Sequence, residues 1–203
     1  MIVNFADIAP STRYHLLTQT IIPRPIAWVL SENDDQSLNL APFSFFNAMC
    51  SDPPLMVLSV GKKPDGEIKD TRRNILSGRD FLIHIAHVDQ ADMLNKSAAA
   101  LDYGESELEA NDLALAKFEG CPIPRLAQCN IAYQCSVFDV HEIGPNQQAM
   151  IYAEVKQLYL NDAVFNEENN RFIIDPEQIN PLTRLGGSYY AALDQPFSLT
   201  RPK

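Results

Sequence analysis

The 203-residue chain has little positive charge: 16 Lys and Arg stand against 26 Asp and Glu, a formal net charge of −10. A phosphate backbone repels such a surface, so a broad nucleic-acid interface is excluded, although a local basic patch can still hold a small anion. Cysteines number four, Cys50, Cys121, Cys129 and Cys135. No two stand at C-x-x-C spacing, which argues against a zinc ribbon or finger. Apolar runs such as 54–60 are far shorter than the roughly 20 residues that span a bilayer. The first residues, MIVNFADIAPSTRYH, lack a basic start followed by an apolar core, so no signal peptide is read there and a cytoplasmic location with reduced thiols is expected. G-x-G-x-x-G, the Walker loop and G-x-S-x-G are all missing, and with them the motif support for a Rossmann, P-loop or α/β-hydrolase reading.

The composition is that of a folded chain: 46% apolar and 21% charged residues. The 14 prolines and 8 glycines are scattered, with no linker or repeat. One domain over 1–203 is expected. Strand signals dominate. Residues 26–31 (IAWVLS) follow Pro-Arg-Pro, which favours extended backbone. Residues 32–36 (ENDDQ) read as a turn into a second strand, 38–46. Residues 55–60 and 81–86 are buried-strand candidates. Residues 130–143 and 149–160 alternate and flank Gly-Pro-Asn, a long antiparallel hairpin with Ile131, Tyr133, Cys135 and Val137 on one face and Ile151, Ala153 and Val155 aligned in the other arm. Helices are expected at 69–78, ended by Gly78, at 89–100 with Asp caps, and more weakly at 111–118. This pattern predicts a mainly β fold, an antiparallel barrel with outer helices.

The cations are unevenly placed. Six of them fall within residues 61–80 with four acids, a local net of +2, which leaves −12 on the rest. Within this island Lys69-Asp70-Thr71 precedes a short helix. Asp70 or Thr71 can cap it, and its first N–H groups with Lys69 and the Thr71 hydroxyl form a candidate phosphate cradle. A solvated helix start with a routine cap is the competing reading.

Five segments in order resemble the flavin reductase-like family of FMN-binding split barrels, which includes flavoredoxin-type proteins. They are Pro23-Arg24-Pro25-Ile26-Ala27-Trp28-Val29; Asn39-Leu40-Ala41-Pro42-Phe43-Ser44-Phe45-Phe46; Asp52-Pro53-Pro54; Lys69-Asp70-Thr71 with Asn74; and Arg184-Leu185-Gly186-Gly187 with Tyr189. The resemblance implies a six-stranded Greek-key split barrel, a homodimer, and FMN at the dimer interface. It implies that Arg24, Ala27, Trp28, Val29, Ser31, Asn39, Ala41, Pro42, Ser44, Phe45 and Phe46 lie along the ring and ribityl chain. It also implies that Lys69, Asp70, Thr71 and Asn74 hold the phosphate, with Arg184 and Tyr189 completing the site. Trp28 is read either as a ring neighbour or as a core aromatic, Arg24 as a ligand to phosphate or ring oxygen or as a surface residue, and Arg184 as a ligand or part of a turn.

The activity implied is that of an FMN-dependent oxidoreductase that passes hydride or electrons from NADH or NADPH to an acceptor, with no catalytic side chain required. The alternative is an FMN-binding electron-transfer protein without NAD(P)H oxidation. Two departures bear on the choice. His84, more simply a satisfied core histidine, stands where many members carry Asn. Gln148 stands where short-chain flavin reductases carry a histidine linked to nicotinamide handling.

Overall fold

The computed structural model describes residues 1–99, 105–168 and 171–202. In chain order its helices and strands are α1 (Pro10–Thr20), β1 (Arg24–Pro25), β2 (Ala27–Glu32), β3 (Leu38–Phe43), β4 (Phe46–Ser51), β5 (Pro54–Val60), α2 (Asp70–Leu76), β6 (Phe81–Ile85), α3 (Ala91–Lys96), α4 (Glu107–Ala110), β7 (Leu115–Ala116), β8 (Arg125–Leu126), β9 (Ile131–Ile143), β10 (Gln148–Leu160), β11 (Phe165–Glu168), β12 (Arg171–Ile174), α5 (Pro176–Ile179), β13 (Thr183–Gly186) and β14 (Tyr189–Ala191).

The main sheet has the order β3-β2-β6-β9-β10-β5-β4, and every pairing in it is antiparallel. Its two edges, β3 and β4, are consecutive in sequence with only Ser44 and Phe45 between them. Two residues cannot cross a flat seven-stranded sheet, since neighbouring strands lie about 4.8 Å apart. The sheet therefore curls until its edges meet, which gives the mainly β split barrel that the sequence predicts. The barrel has seven strands rather than six, because the single strand expected over 38–46 breaks at Ser44–Phe45, where the Phe45 carbonyl accepts from the Ser59 N–H at 2.8 Å.

Two apolar clusters lie on the two faces of the sheet. Ala27 and Val29 join Phe43, Leu58, Ile83, Cys135, Ile151 and Ala153 inside the barrel. Trp28 and Leu30 turn outward to Leu82, Leu94, Leu126 and Leu182. Burial on both faces is why this strand reads as an unbroken apolar run instead of alternating. The expected hairpin of 130–160 is present as β9 and β10, with register shifts at Tyr152/Ala153 and Val155/Gln157. Tyr133, Cys135 and Val137 face the inner cluster, as do Ile151, Ala153 and Val155.

The helices needed more correction. Residues 111–118 are not helical; Leu115–Ala116 pairs with Arg125–Leu126 instead. The segment expected over 89–100 is a 3-10 turn, Val88–Gln90, followed by α3, and its cap is the His87 side chain rather than an aspartate. Ala100 lies outside the described residues. In α2 the N-cap is Lys69, not Asp70 or Thr71, while Gly78 ends the segment at φ +82° as expected. Helix α1 was not anticipated: Thr18 is its one buried residue, so its sequence carries no apolar stripe. Among the described residues no helix is long and apolar enough to cross a membrane.

Candidate functional site

Lys69 sits where β3, α2 and the 61–68 loop converge. It is half-buried, and its ammonium lies 5.5 Å from the Phe43 ring centroid. Among the described residues no carboxylate pairs with it, whereas neighbouring Lys63 is paired with Asp70 at 3.1 Å. Burial pushes the Lys69 pKa down from its ordinary value. An uncompensated cation of this kind favours an anion beside it, which would supply the missing charge. The N-cap makes no side-chain cap hydrogen bond, so the first N–H groups of α2 have no side-chain acceptor either.

Beneath Lys69 a buried polar network ties α2 to the sheet. Asn39 Nδ2 donates to Thr71 Oγ1 at 2.9 Å and weakly to Ser31 Oγ at 3.4 Å. Asn74 Nδ2 donates to Ser31 Oγ at 3.1 Å and to Asn33 Oδ1 at 2.7 Å. Since Asn39 donates to it, the Thr71 hydroxyl keeps its own proton for an acceptor outside this pair. Arg72, fully buried, reaches the other side: it donates to the Gln147 carbonyl at 2.8 Å and pairs with Glu142 at the β9–β10 turn.

Two clefts meet at Pro42, Phe43 and Lys69. The first, about 330 Å³, is also lined by Asn39, Ala41, Asp70, Thr71, Lys63, the Ser97–Ala99 segment and Glu107. The second, about 300 Å³, adds Ser44 and Phe45 to Tyr14, Ser59, Gly61 and Gln148. In the second cleft Gln148 Nε2 donates to Ser59 Oγ at 2.8 Å.

Of the residues named from sequence, Asn39, Ala41, Pro42, Ser44, Phe45, Lys69, Asp70 and Thr71 thus come together. Ser31 and Asn74 lie one layer behind, where Ser31 Oγ accepts from both Asn39 and Asn74. The others go elsewhere. Ala27 and Val29 point into the barrel, and Phe46 packs partly against the same cluster. Trp28 is 0% exposed, and its indole N–H donates to Ser97 Oγ at 2.8 Å. Of the two readings for Trp28, the core aromatic is the one seen.

Arg24 requires a correction. It is 6% exposed, and its Nη1 donates to the Thr18 carbonyl and, at 3.0 Å, to the Ile21 carbonyl. A guanidinium is well matched to carbonyls at a helix C-terminus, and this one is engaged by the end of α1, while its Nε donates weakly, at 3.4 Å, to Ser44 Oγ in the second cleft. Arg184 donates to the Gly187 carbonyl and stacks 4.3 Å from the Tyr190 ring, which is the turn reading, and Tyr189 is 73% exposed. Neither lines a cleft. Gly186 explains how β13 can lie so close to α1: a Cβ there would stand 2.7 Å from the Thr18 carbonyl oxygen.

His84 is the satisfied core histidine. Nε2 accepts from the Leu126 N–H at 3.1 Å, so Nδ1 carries the proton and donates to the Trp28 carbonyl at 3.2 Å. Burial pushes its pKa down to about 4. Sequence reasoning missed Phe43, Lys63, Tyr14, Ser59, Gly61 and Glu107 as lining residues. The cationic island contained a signal for Lys63, and Phe43 lies inside a quoted motif. Glu107, distant in sequence and in no motif, had no signal.

Comparison with known proteins bears on the family and the fold. A family profile described as flavin reductase like domain matches residues 19–191. A relative from Halalkalibacterium halodurans, itself described as uncharacterized, is 34% identical over 207 residues, covering 100% of this chain and 97% of its own length. Among solved structures, nitrilotriacetate monooxygenase component B from Bacillus cereus superposes with a TM-score of 0.89 at 32% identity, covering 98% of both chains. The 2-nitrobenzoate 2-nitroreductase of Pseudomonas fluorescens superposes at 0.86 and 28% identity, covering 100% of this chain and 96% of its own.

Proposed function

The chain belongs to the flavin reductase-like family, and from that premise we propose that it is an FMN-dependent oxidoreductase whose FMN phosphate is held by Lys69 and Thr71. The observation that carries this reading is the half-buried Lys69 ammonium, which has no carboxylate partner among the described residues and stands where two clefts meet. The polar set around it fits the cofactor. A phosphate needs a cation and hydrogen-bond donors, and the Lys69 ammonium, the Thr71 hydroxyl and the uncapped start of α2 supply both. Asn39 and Asn74 orient Thr71 through the buried network. Beyond the phosphate site, Ser44, Phe45, Ser59 and Gln148 offer a mixed apolar and hydrogen-bonding wall suited to a flat heteroaromatic ring.

When bound, FMN supplies the ring that accepts hydride or electrons and passes them on. The chain's own residues bind and orient it, and no side-chain acid or base is assigned. The printed names of two similar proteins, a monooxygenase component and a nitroreductase, support a redox role. The exposed Tyr14 and Leu17 of α1, Met49 of β4 and Phe45 just before β4 support a homodimer in which a second copy covers the clefts. Nothing in the reading calls for a membrane or nucleic acid, and a cytoplasmic setting suits NADH or NADPH as donor.

A second reading is favoured by Gln148. It places a neutral amide, already bonded to Ser59, where a histidine is expected in NAD(P)H-using reductases. On this reading the protein carries electrons through FMN from a protein donor.

The deciding experiment begins with the visible spectrum of the protein after FMN loading. A bound-flavin spectrum is expected, with Lys69→Ala weakening FMN binding by roughly 10- to 100-fold, the range of a charge-assisted hydrogen bond. Unchanged FMN affinity in Lys69→Ala would remove the phosphate assignment. Anaerobic NADH and NADPH then separate the two readings: bleaching of the flavin supports the reductase, and a flavin that stays oxidised supports the electron carrier.

A further inference from the structure

The first cleft holds a group that its cationic wall does not explain. Glu107, at the start of α4, is 6% exposed and lines the same cleft as Lys69 and Thr71. Its Oε2 accepts from the Leu40 N–H at 2.8 Å, which ties it to the edge strand β3. The preceding Ser106 hydroxyl donates to the Leu38 carbonyl at 2.6 Å, so the segment is fastened to β3 at two points and the carboxylate is fixed in place. Among the described residues no cation pairs with it, because Lys63 is engaged with Asp70. Burial pushes its pKa up, and neighbouring Asp70 adds to the rise while Lys63 opposes it.

A carboxylate here is costly to keep and hostile to a second anion. With the phosphate at Lys69 and Thr71 and the ring in the cleft of Ser44 and Gln148, the rest of the first cleft is where anything attached beyond the phosphate must run. Glu107 stands along that path. We propose that Glu107 is a specificity-determining residue that restricts the cleft to a flavin ending in a phosphate monoester, by repelling the second phosphate of a flavin extended through a diphosphate, such as FAD. The proposal rests on the phosphate site assigned above.

The test compares FMN, FAD and riboflavin binding, by quenching of flavin fluorescence, in the full-length protein and in Glu107→Gln. Glutamine keeps an acceptor for the Leu40 N–H and removes the charge. The wild type is expected to bind FMN at least about 10-fold tighter than FAD. Glu107→Gln should tighten FAD by roughly fivefold or more relative to FMN. An unchanged FAD-to-FMN ratio overturns the proposal and leaves the phosphate site standing. Riboflavin binding as tightly as FMN, in both proteins, overturns the phosphate site itself and this proposal with it.

A measurement on the wild type alone guards against a variant that fails to fold. FAD has no phosphate group that titrates near neutrality, so its affinity from about pH 8 to about pH 5 follows the protein. The charged groups facing this part of the cleft are Glu107, Asp70, Lys63 and Lys69. Burial raises the Glu107 carboxyl from its ordinary value, so FAD should bind tighter as pH falls and Glu107 takes up its proton, and weaker FAD binding at the acid end counts against the proposal.

Discussion

Two places in this molecule gather cations, and they use them differently. At the small sheet of β1, β13 and β14, Arg24 and Arg184 face each other across paired backbone positions. Both donate to the chain's own carbonyls, Arg24 to Thr18 and Ile21 and Arg184 to Gly187. At the mouth of the clefts, Lys63 is engaged by Asp70 but Lys69 is not engaged by any carboxylate among the described residues. A basic residue near a ligand site is therefore not by that fact a ligand. What separates the two regions is whether the chain's own acceptors already engage the cation, which motifs that contain Arg24, Lys69 and Arg184 alike do not reveal.

The sharpest way to break the comparison is to remove one cation from each side. Arg24→Ala deletes a buried guanidinium that closes the C-terminus of α1 and leaves two carbonyls short of a donor. A loss of about 3 kcal/mol in unfolding free energy is expected, with FMN affinity of the folded fraction within about twofold. Lys69→Ala should do the reverse, weakening FMN while leaving the denaturation midpoint nearly unmoved. If Arg24→Ala instead costs affinity and spares stability, the division drawn between the regions is wrong.

His84 belongs with the self-satisfied groups, and pH exposes it. Its folded pKa of about 4 lies below the ordinary 6.5, so the unfolded chain takes up the proton first as pH falls. The stability held by neutral His84 is complete above about pH 6.5 and is lost progressively toward pH 4, by roughly 3 kcal/mol at full development. Urea titrations across that range should show the decline, and His84→Gln should flatten it. An acid limb of the same slope in that variant would mean other groups cause the loss.

How much of this was legible in the sequence follows the same division. The strands were readable because burial on one face imposes alternation, as in 131–143, and burial on both faces an unbroken apolar run, as in 81–85. The closeness of Lys69 and Thr71 was readable because they stand two residues apart at the start of one short helix. The break at Ser44–Phe45 was not, since barrel closure is a property of the whole sheet. Helix α1 was hidden for a different reason: it is held by Arg24 and by the close approach of Gly186, contacts 6 and more residues away, and not by an apolar face of its own. Trp28 and Ala27 were read as site residues because they stand in a segment that resembles the family's motif, yet alternation along β2 buries them on opposite faces of the sheet, and neither side chain lines a cleft. Glu107 had no signal at all, because its position depends on how 105–110 lies against β3.

The finest distinction within the cleft concerns Thr71, which is 1% exposed yet lines the first cleft. Its hydroxyl accepts from Asn39, so one of its two roles is internal, and only the proton it donates is available to a ligand. Thr71→Val keeps the shape and removes both roles. FMN affinity should fall by about 5- to 10-fold, less than for Lys69→Ala, because a neutral donor to phosphate contributes about 1 kcal/mol against the larger share of a charged one. Stability should fall by a similar amount, since Asn39 Nδ2 then keeps only its weak bond to Ser31. Thr71→Ser restores the hydroxyl and should recover most of both. Recovery of stability without recovery of FMN affinity would show that Thr71 belongs with Arg24 among the residues that hold the chain, leaving Lys69 as the side chain that meets the phosphate.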